Sequence, residues 1–158
     1  MDRRKFLITS TLTAFSLSSF GTVYQASNGL FTSKCRTTRD YLGPYFREGA
    51  PLRQNLLSDG MKGERLSISG TVFSCKKDIP LKDVTIEIWH CSHDGDYDNE
   101  SSEFRHRAKW ITGEDATYAF ATIMPGKYGM PGQLRPSHVH FKVTCEGHKE
   151  LVSQIYFE

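Results

Sequence analysis

Beyond its first few residues the chain has no run of lysine and arginine, which removes the feature by which nucleic acid is recognised. No polybasic or lipidation motif directs it to a membrane surface. No CxxC and no cysteine–histidine zinc spacing occurs, so Cys35, Cys75, Cys91 and Cys145 do not read as a zinc module. An even number of cysteines permits disulfides in an exported chain, with three pairings open; buried free thiols are the alternative. No internal repeat or low-complexity tract is present, and no convincing amphipathic helix follows residue 28. What remains is ordinary globular composition, 38% hydrophobic and 24% charged over 158 residues, enough for one domain with one core.

The first 26 residues read differently. Asp2-Arg3-Arg4-Lys5-Phe6-Leu7 is a charged start, and residues 6–20 form an uncharged apolar stretch diluted by Ser and Thr. That stretch is too short and too polar for a stable membrane span. It resembles a twin-arginine export signal, with an ordinary Sec-type signal as the alternative. Ser19-Phe20-Gly21 and Ala26 are both candidate cleavage points. The expectation is an exported protein, periplasmic or extracellular, with no stable membrane span after processing. Loss of residues 1–26 removes three basic and one acidic residue and leaves no net charge.

Residues 27–63 read as an N-terminal arm and loops, broken by Gly43-Pro44 and Ala50-Pro51. A β domain over 64–158 follows. Leu66–Phe73, Val84–Trp89, Thr117–Ile123, His138–Val143 and Leu151–Phe157 alternate apolar and polar residues as half-buried strands do. Residues 91–116 and 124–137 read as long loops. Short strands with Gly and Pro turns predict an all-β, antiparallel β-sandwich whose long loops carry the active site.

The chemistry concentrates in Arg135-Pro136-Ser137-His138-Val139-His140-Phe141. Histidines at i and i+2 on a strand point the same way, so both imidazoles can reach one metal. Alone, the pair reads more simply as surface or core histidines. Tyr97, after Gly95, and Tyr128, after Pro125-Gly126-Lys127, change that reading. A phenol ionises near pH 10, and a trivalent cation stabilises the phenolate. Two phenolates and two imidazoles would leave iron(III) with one net positive charge.

On these motifs the sequence resembles the intradiol ring-cleavage dioxygenases, from about Thr38 to Phe157. The matching stretches include Gly43-Pro44-Tyr45-Phe46, Ile86-Glu87-Ile88-Trp89-His90, Gly95-Asp96-Tyr97, Pro125-Gly126-Lys127-Tyr128, the Arg-Pro-x-His-x-His-Phe block and Gln154-Ile155-Tyr156-Phe157. The resemblance implies a mononuclear non-haem iron(III) held by Tyr97, Tyr128, His138 and His140. It implies cleavage of a catechol-type ring between its two hydroxylated carbons with dioxygen, to a cis,cis-muconate. Tyr128 would leave the metal when the aromatic diol binds. Arg135 would stabilise charge at the attacked carbon. Tyr45, Trp89 and Gln154 would lie at or near the substrate.

Each role has a plainer alternative. Arg135 could brace its loop, Gln154 could be a cross-strand partner, Trp89 could be core, and Tyr45 could be a packing aromatic after a turn. His90, His93, His106 and His148 read as solvent or loop histidines, and Arg105, Arg107 and Lys109 as candidate cations for a carboxylated substrate. Asp94, Asp96 and Asp98 lack the downstream glutamate of a calcium loop. Two departures stand out. The family's Asp-Gly-x-Tyr turn reads Asp115-Ala116-Thr117-Tyr118, which predicts a rearranged turn or the loss of a positive-φ residue. Relatives also usually continue past the strand that ends this chain. The helical dimerisation segment of catechol-specific relatives is not found, while a homo-oligomer stays open. The competing readings are a non-catalytic β-sandwich binding or assembly module, and a His-x-His site for zinc or copper.

Overall fold

The computed structural model describes residues 23–25, 31–33, 37–75 and 79–157. Of the export-signal reading over 1–26 only Val23–Gln25 is described; its charged start, apolar stretch and cleavage points, with Cys35, lie outside the described residues. All regular elements among those residues are strands: β1 (Val23–Gln25), β2 (Phe31–Ser33), β3 (Arg65–Thr71), β4 (Thr85–Trp89), β5 (Arg107–Ile111), β6 (Thr117–Ile123), β7 (Tyr128–Met130), β8 (Gln133–Arg135), β9 (Ser137–Thr144) and β10 (Leu151–Phe157). A four-stranded antiparallel sheet runs β10-β9-β4-β5, and β3 pairs with β6 in a second sheet. Leu66 and Ile68 of β3 and Phe120 of β6 share one core with Ile86, Ile88, Ala108, Val139 and Phe141 of the larger sheet. The fold is the expected antiparallel β-sandwich.

Three segments differ from expectation. Residues 91–116, read as loop, contain β5; residues 124–137 contain the hairpin β7–β8; and the first core strand ends at Thr71, before Val72 and Phe73. The Asp115-Ala116 turn keeps a positive-φ residue. Ala116 adopts φ +56° in place of the family's glycine. The Ala116 N–H donates to Gly113 O at 3.0 Å, and the Ala116 carbonyl accepts from Val72 N at 3.0 Å. Thr117 N–H donates to the Asp115 carboxylate at 3.2 Å, closing the turn. The three described cysteines, Cys75, Cys91 and Cys145, are free thiols.

The alternation of β9 places the site. Val139 and Phe141 face the core, so His138 and His140 face the opposite side of the sheet. Across the ladders His140 is flanked by Trp89 and Gln154, and His138 faces Tyr156. Residues opposite one another in a ladder share a face, so Trp89, His140 and Gln154 form a row. The arm at 38–45 covers this row: Asp40 N–H donates to Val152 O at 2.8 Å, and Ser153 Oγ donates to Thr38 O at 2.8 Å.

Candidate metal centre

Tyr97, Tyr128, His138 and His140 come together from the loop after β4, the start of β7 and the strand β9. Ring centroids lie 5.3 Å apart for Tyr97 and Tyr128, 5.5 Å for Tyr128 and His138, 4.9 Å for the two histidines and 6.4 Å for Tyr97 and His140. Both histidines are buried, at 0% and 1% exposure. Tyr97 Oη, His138 Nε2 and both ring nitrogens of His140 have no hydrogen-bond partner. A buried polar atom without a partner is costly, and several converging on one place mark a site built to hold something.

The donor set fits a metal. His138 Nδ1 sits 2.7 Å from Pro136 O; that bond fixes the proton on Nδ1 and leaves Nε2 bare, the tautomer a metal-ligating histidine needs. Burial lowers the pKa of His138; burial and then His138 push His140 down to about 3, so both rings are neutral at ordinary pH, the form a metal would need. Burial, followed by the adjacent Tyr128, drives the Tyr97 phenol well above its ordinary range, so a nearby cation is needed to ionise it. Among the described residues no three His, Cys, Asp or Glu side chains gather; the oxygen donors beside His138 and His140 are the phenols of Tyr97 and Tyr128.

The tyrosine loops are clamped backbone to backbone. Ser92 O accepts from Gly95 N at 3.1 Å and from Gly126 N at 2.9 Å, and Ser92 N donates to Asp96 O at 2.7 Å. Ser92 Oγ accepts from the N–H groups of Asp94 and Asp96. Cys91 Sγ donates to Gly126 O at 3.3 Å. Gly95 holds φ +94°, and a Cβ on it would come 3.1 Å from the Tyr128 Cβ. Only glycine fits that approach at that angle.

Around this centre Trp89 lies flat on His140, centroids 4.7 Å apart and planes 7° from parallel, with Phe46 edge-on behind it at 5.0 Å. At 1% exposure Trp89 backs the histidine as a core wall and presents no face to solvent. Tyr45 stacks on Tyr97 at 4.1 Å and meets Tyr128 edge-on at 6.0 Å, so it borders both tyrosines. Arg135 Nη1 donates to Tyr128 Oη at 2.9 Å, and Nη2 donates to Gln154 Oε1 at 3.0 Å. Gln154 is therefore the partner of Arg135.

Several sequence readings are corrected. Arg107 is 1% exposed and faces no substrate. Its Nε donates to Asp98 O at 2.9 Å, Nη1 to Tyr45 O at 2.7 Å and Nη2 to Asn99 Oδ1 at 3.1 Å. It ties Tyr45 to the loop after Tyr97. Arg105 is exposed and paired with Glu103 at 2.6 Å. Lys109 lies opposite Glu87 in the β4–β5 ladder. His90 and His106 are buried, at 1% and 5% exposure, whereas His93 and His148 are exposed. His90 Nδ1 lies 2.7 Å from Cys91 O and Nε2 lies 2.7 Å from Thr122 Oγ1, so the neutral ring is fully satisfied. Tyr156 and Asp40 also join the site. Tyr156 was legible as the residue two after Gln154, on the same strand face; nothing in the sequence marks Asp40 beyond its place five residues before Tyr45.

The profile of a family described as Dioxygenase matches residues 41–158. A chlorocatechol 1,2-dioxygenase of Cupriavidus pinatubonensis is 36% identical over 136 residues, covering 73% of this chain and 52% of that protein. A catechol 1,2-dioxygenase of Acinetobacter baylyi is 33% identical over 142 residues, covering 75% and 45%. The chain thus spans about half the length of the curated relatives it matches. Among solved structures, the dioxygenase domain of a carbohydrate-binding fusion from Streptomyces sp. SirexAA-E superposes with TM-score 0.68 at 34% identity, covering 76% of this chain and 73% of that one. A 3-chlorocatechol 1,2-dioxygenase from Rhodococcus opacus gives TM-score 0.70 at 27% identity, covering 77% and 56%.

Proposed function

The chain belongs to the intradiol dioxygenase family, and from that premise we propose that it holds a non-haem iron(III) through Tyr97, Tyr128, His138 and His140 and opens a catechol-type ring between its hydroxylated carbons with dioxygen. The observation that carries the reading is the set of buried, partnerless donors on Tyr97, His138 and His140, with Tyr128 completing the ring around them. Iron(III), when bound, supplies a Lewis acid that phenolates and a catecholate both ligate.

The protein's own residues divide the remaining work. His138 and His140 stay neutral and fixed, one by its bond to Pro136 O and the other by the Trp89 face. Tyr128 differs from Tyr97 in having a ready partner: Arg135 already donates to its oxygen. Tyr128 is therefore the tyrosine whose oxygen would be held by Arg135 while it took a proton from an incoming diol. The Arg135 guanidinium beside it offers charge to an oxygen-bearing carbon as negative charge develops there. Tyr45, stacked on Tyr97, forms one side of the mouth. The same reading includes export by the twin-arginine route, supported by Arg3-Arg4-x-Phe-Leu and by that route's capacity for folded proteins already holding a cofactor.

Reconstitution with iron(III) tests the proposal. Tyrosinate-to-iron charge transfer gives a broad visible band and a burgundy colour, and a bound catechol shifts it. A colourless protein after reconstitution refutes iron ligation by the tyrosines. Colour with no response to any catechol favours a binding module.

A further inference from the structure

Arg135 carries the positive charge of the site, and among the described residues no carboxylate pairs with it directly. A carboxylate lies one hydroxyl away. Tyr156 Oη donates to Asp40 Oδ2 at 3.1 Å, and the same oxygen lies 3.5 Å from Arg135 Nη2 and 3.2 Å from Gln154 Oε1. Asp40 is itself fixed. Its Oδ1 accepts from Tyr41 N–H at 2.7 Å, and its own N–H donates to Val152 O at 2.8 Å. Gln154 is anchored at its other end, with Nε2 donating to Tyr41 O at 3.4 Å.

Tyr156 has one hydroxyl proton and two acceptors within reach, Asp40 and Gln154 Oε1. The carboxylate is the stronger, charge-assisted acceptor. With the proton on the Asp40 side, the Tyr156 lone pairs face Arg135 Nη2, and Gln154 Oε1 is left for Arg135. Both acceptors then hold one edge of the planar guanidinium, which aims Nη1 at Tyr128 Oη, 2.9 Å away. Without Asp40 the proton turns to Gln154. Tyr156 then competes with Arg135 for Oε1, and its lone pairs are no longer held toward Nη2.

We propose that Asp40, acting through Tyr156, is a positioning residue that orients Arg135 toward Tyr128; the inference rests on the assignment of Arg135 and Tyr128 to the reactive site. It gives the N-terminal arm a part in the chemistry beyond covering the sheet.

The test compares Asp40→Ala, Asp40→Asn, Tyr156→Phe and the Asp40→Ala/Tyr156→Phe double variant in the full chain. With iron and catechol, Asp40→Ala and Tyr156→Phe each lower kcat about tenfold while KM stays within about twofold. The double variant is no slower than Tyr156→Phe, because both changes break one relay. Asp40→Asn, which keeps an acceptor, recovers kcat to within about threefold of wild type. A second readout needs no metal: the Arg135 Nη–H resonances, assigned by their loss in Arg135→Lys. These are resolved in the wild type and in Asp40→Asn, and collapse by rotational averaging in Asp40→Ala and Tyr156→Phe. Multiplicative kcat losses in the double variant, or unaltered Arg135 resonances in Asp40→Ala, overturn the inference. If the wild-type chain opens no catechol ring, the functional reading fails on that result, and the Arg135 resonances alone still decide the inference.

Discussion

Gly126 packs against His93 so closely that a Cβ on Gly126 would overlap the His93 carbonyl oxygen and lie 2.8 Å from Gly95 N. This contact sets the spacing of the loops that carry Tyr97 and Tyr128. Gly126→Ala therefore forces a backbone shift, costing about 1–3 kcal/mol and reducing iron retention. Gly132→Ala is the control, since its φ is +84° but nothing lies within 4 Å. The control carries left-handed strain alone, about 1–2 kcal/mol, and keeps its iron. Thermal melts and metal analysis of both variants decide; equal iron content would remove the clamp's role.

Tyr97→Phe and His138→Ala each delete a partnerless donor and leave the fold's hydrogen bonds intact, apart from the His138 bond to Pro136. Both variants are expected to lose iron while folding normally by circular dichroism. Full iron occupancy in both contradicts the ligand assignment.

Arg107 is buried and donates to the backbone carbonyls of Asp98 and Tyr45. Its own carbonyl accepts from Arg53 Nη2 at 2.8 Å, which knits in the loop before β5. Arg107→Met strands at least two acceptors and is expected to cost about 3 kcal/mol. A shift of the urea midpoint worth less than about 1 kcal/mol would mean that water replaces the guanidinium.

His90 gives the acid limb of stability a defined source. Burial, then His106, pushes its pKa down from 6.5 to about 3. Between those values the unfolded chain binds a proton that the folded chain refuses. Stability is thus fully present above pH 6.5 and falls as pH drops toward 3, by up to about 1.4 kcal/mol per pH unit for this one group. His90→Gln is expected to flatten that limb at the expense of stability at neutral pH. Parallel pH–stability curves for both proteins would assign the limb elsewhere.

Ala116 combines φ +56° with complete burial. Left-handed strain and the buried methyl act in opposite directions, so Ala116→Gly changes stability by no more than about 1 kcal/mol. Ala116→Val adds a β-branch at the same φ and is expected to cost more than about 2 kcal/mol. Equal melting temperatures for the two variants would show that the turn relaxes.

Legibility in the sequence followed local physics. Five core strands were readable because Leu66, Ile68, Ile86, Ile88, Phe120, Val139, Phe141 and Ile155 alternate with polar or small neighbours. β5 was not, because Arg107-Ala108-Lys109-Trp110-Ile111 buries an arginine on carbonyls that no periodicity reveals. β7 and β8 were hidden by Gly129, Gly132 and their exposed side chains. His90 lies in a loop, but its burial was not legible, since its partners, Cys91 O and Thr122, are fixed only once β6 packs beside it. The four proposed ligands were legible as a motif. Their spacing came from the glycine clamp, and the Asp40 link came from an arm whose docking on β10 is tertiary.

The two histidines stand on β9, an interior strand laced to neighbours on both sides, whereas the tyrosines stand beside a glycine clamp at the sheet's end. The two sides are built on different kinds of support: a ladder spreads its bonds along seven or more residues, whereas the clamp gathers them at Ser92. A single substitution in β9 therefore removes a small share of what holds the histidines, and one at Ser92, Gly95 or Gly126 removes a large share of what sets the tyrosines.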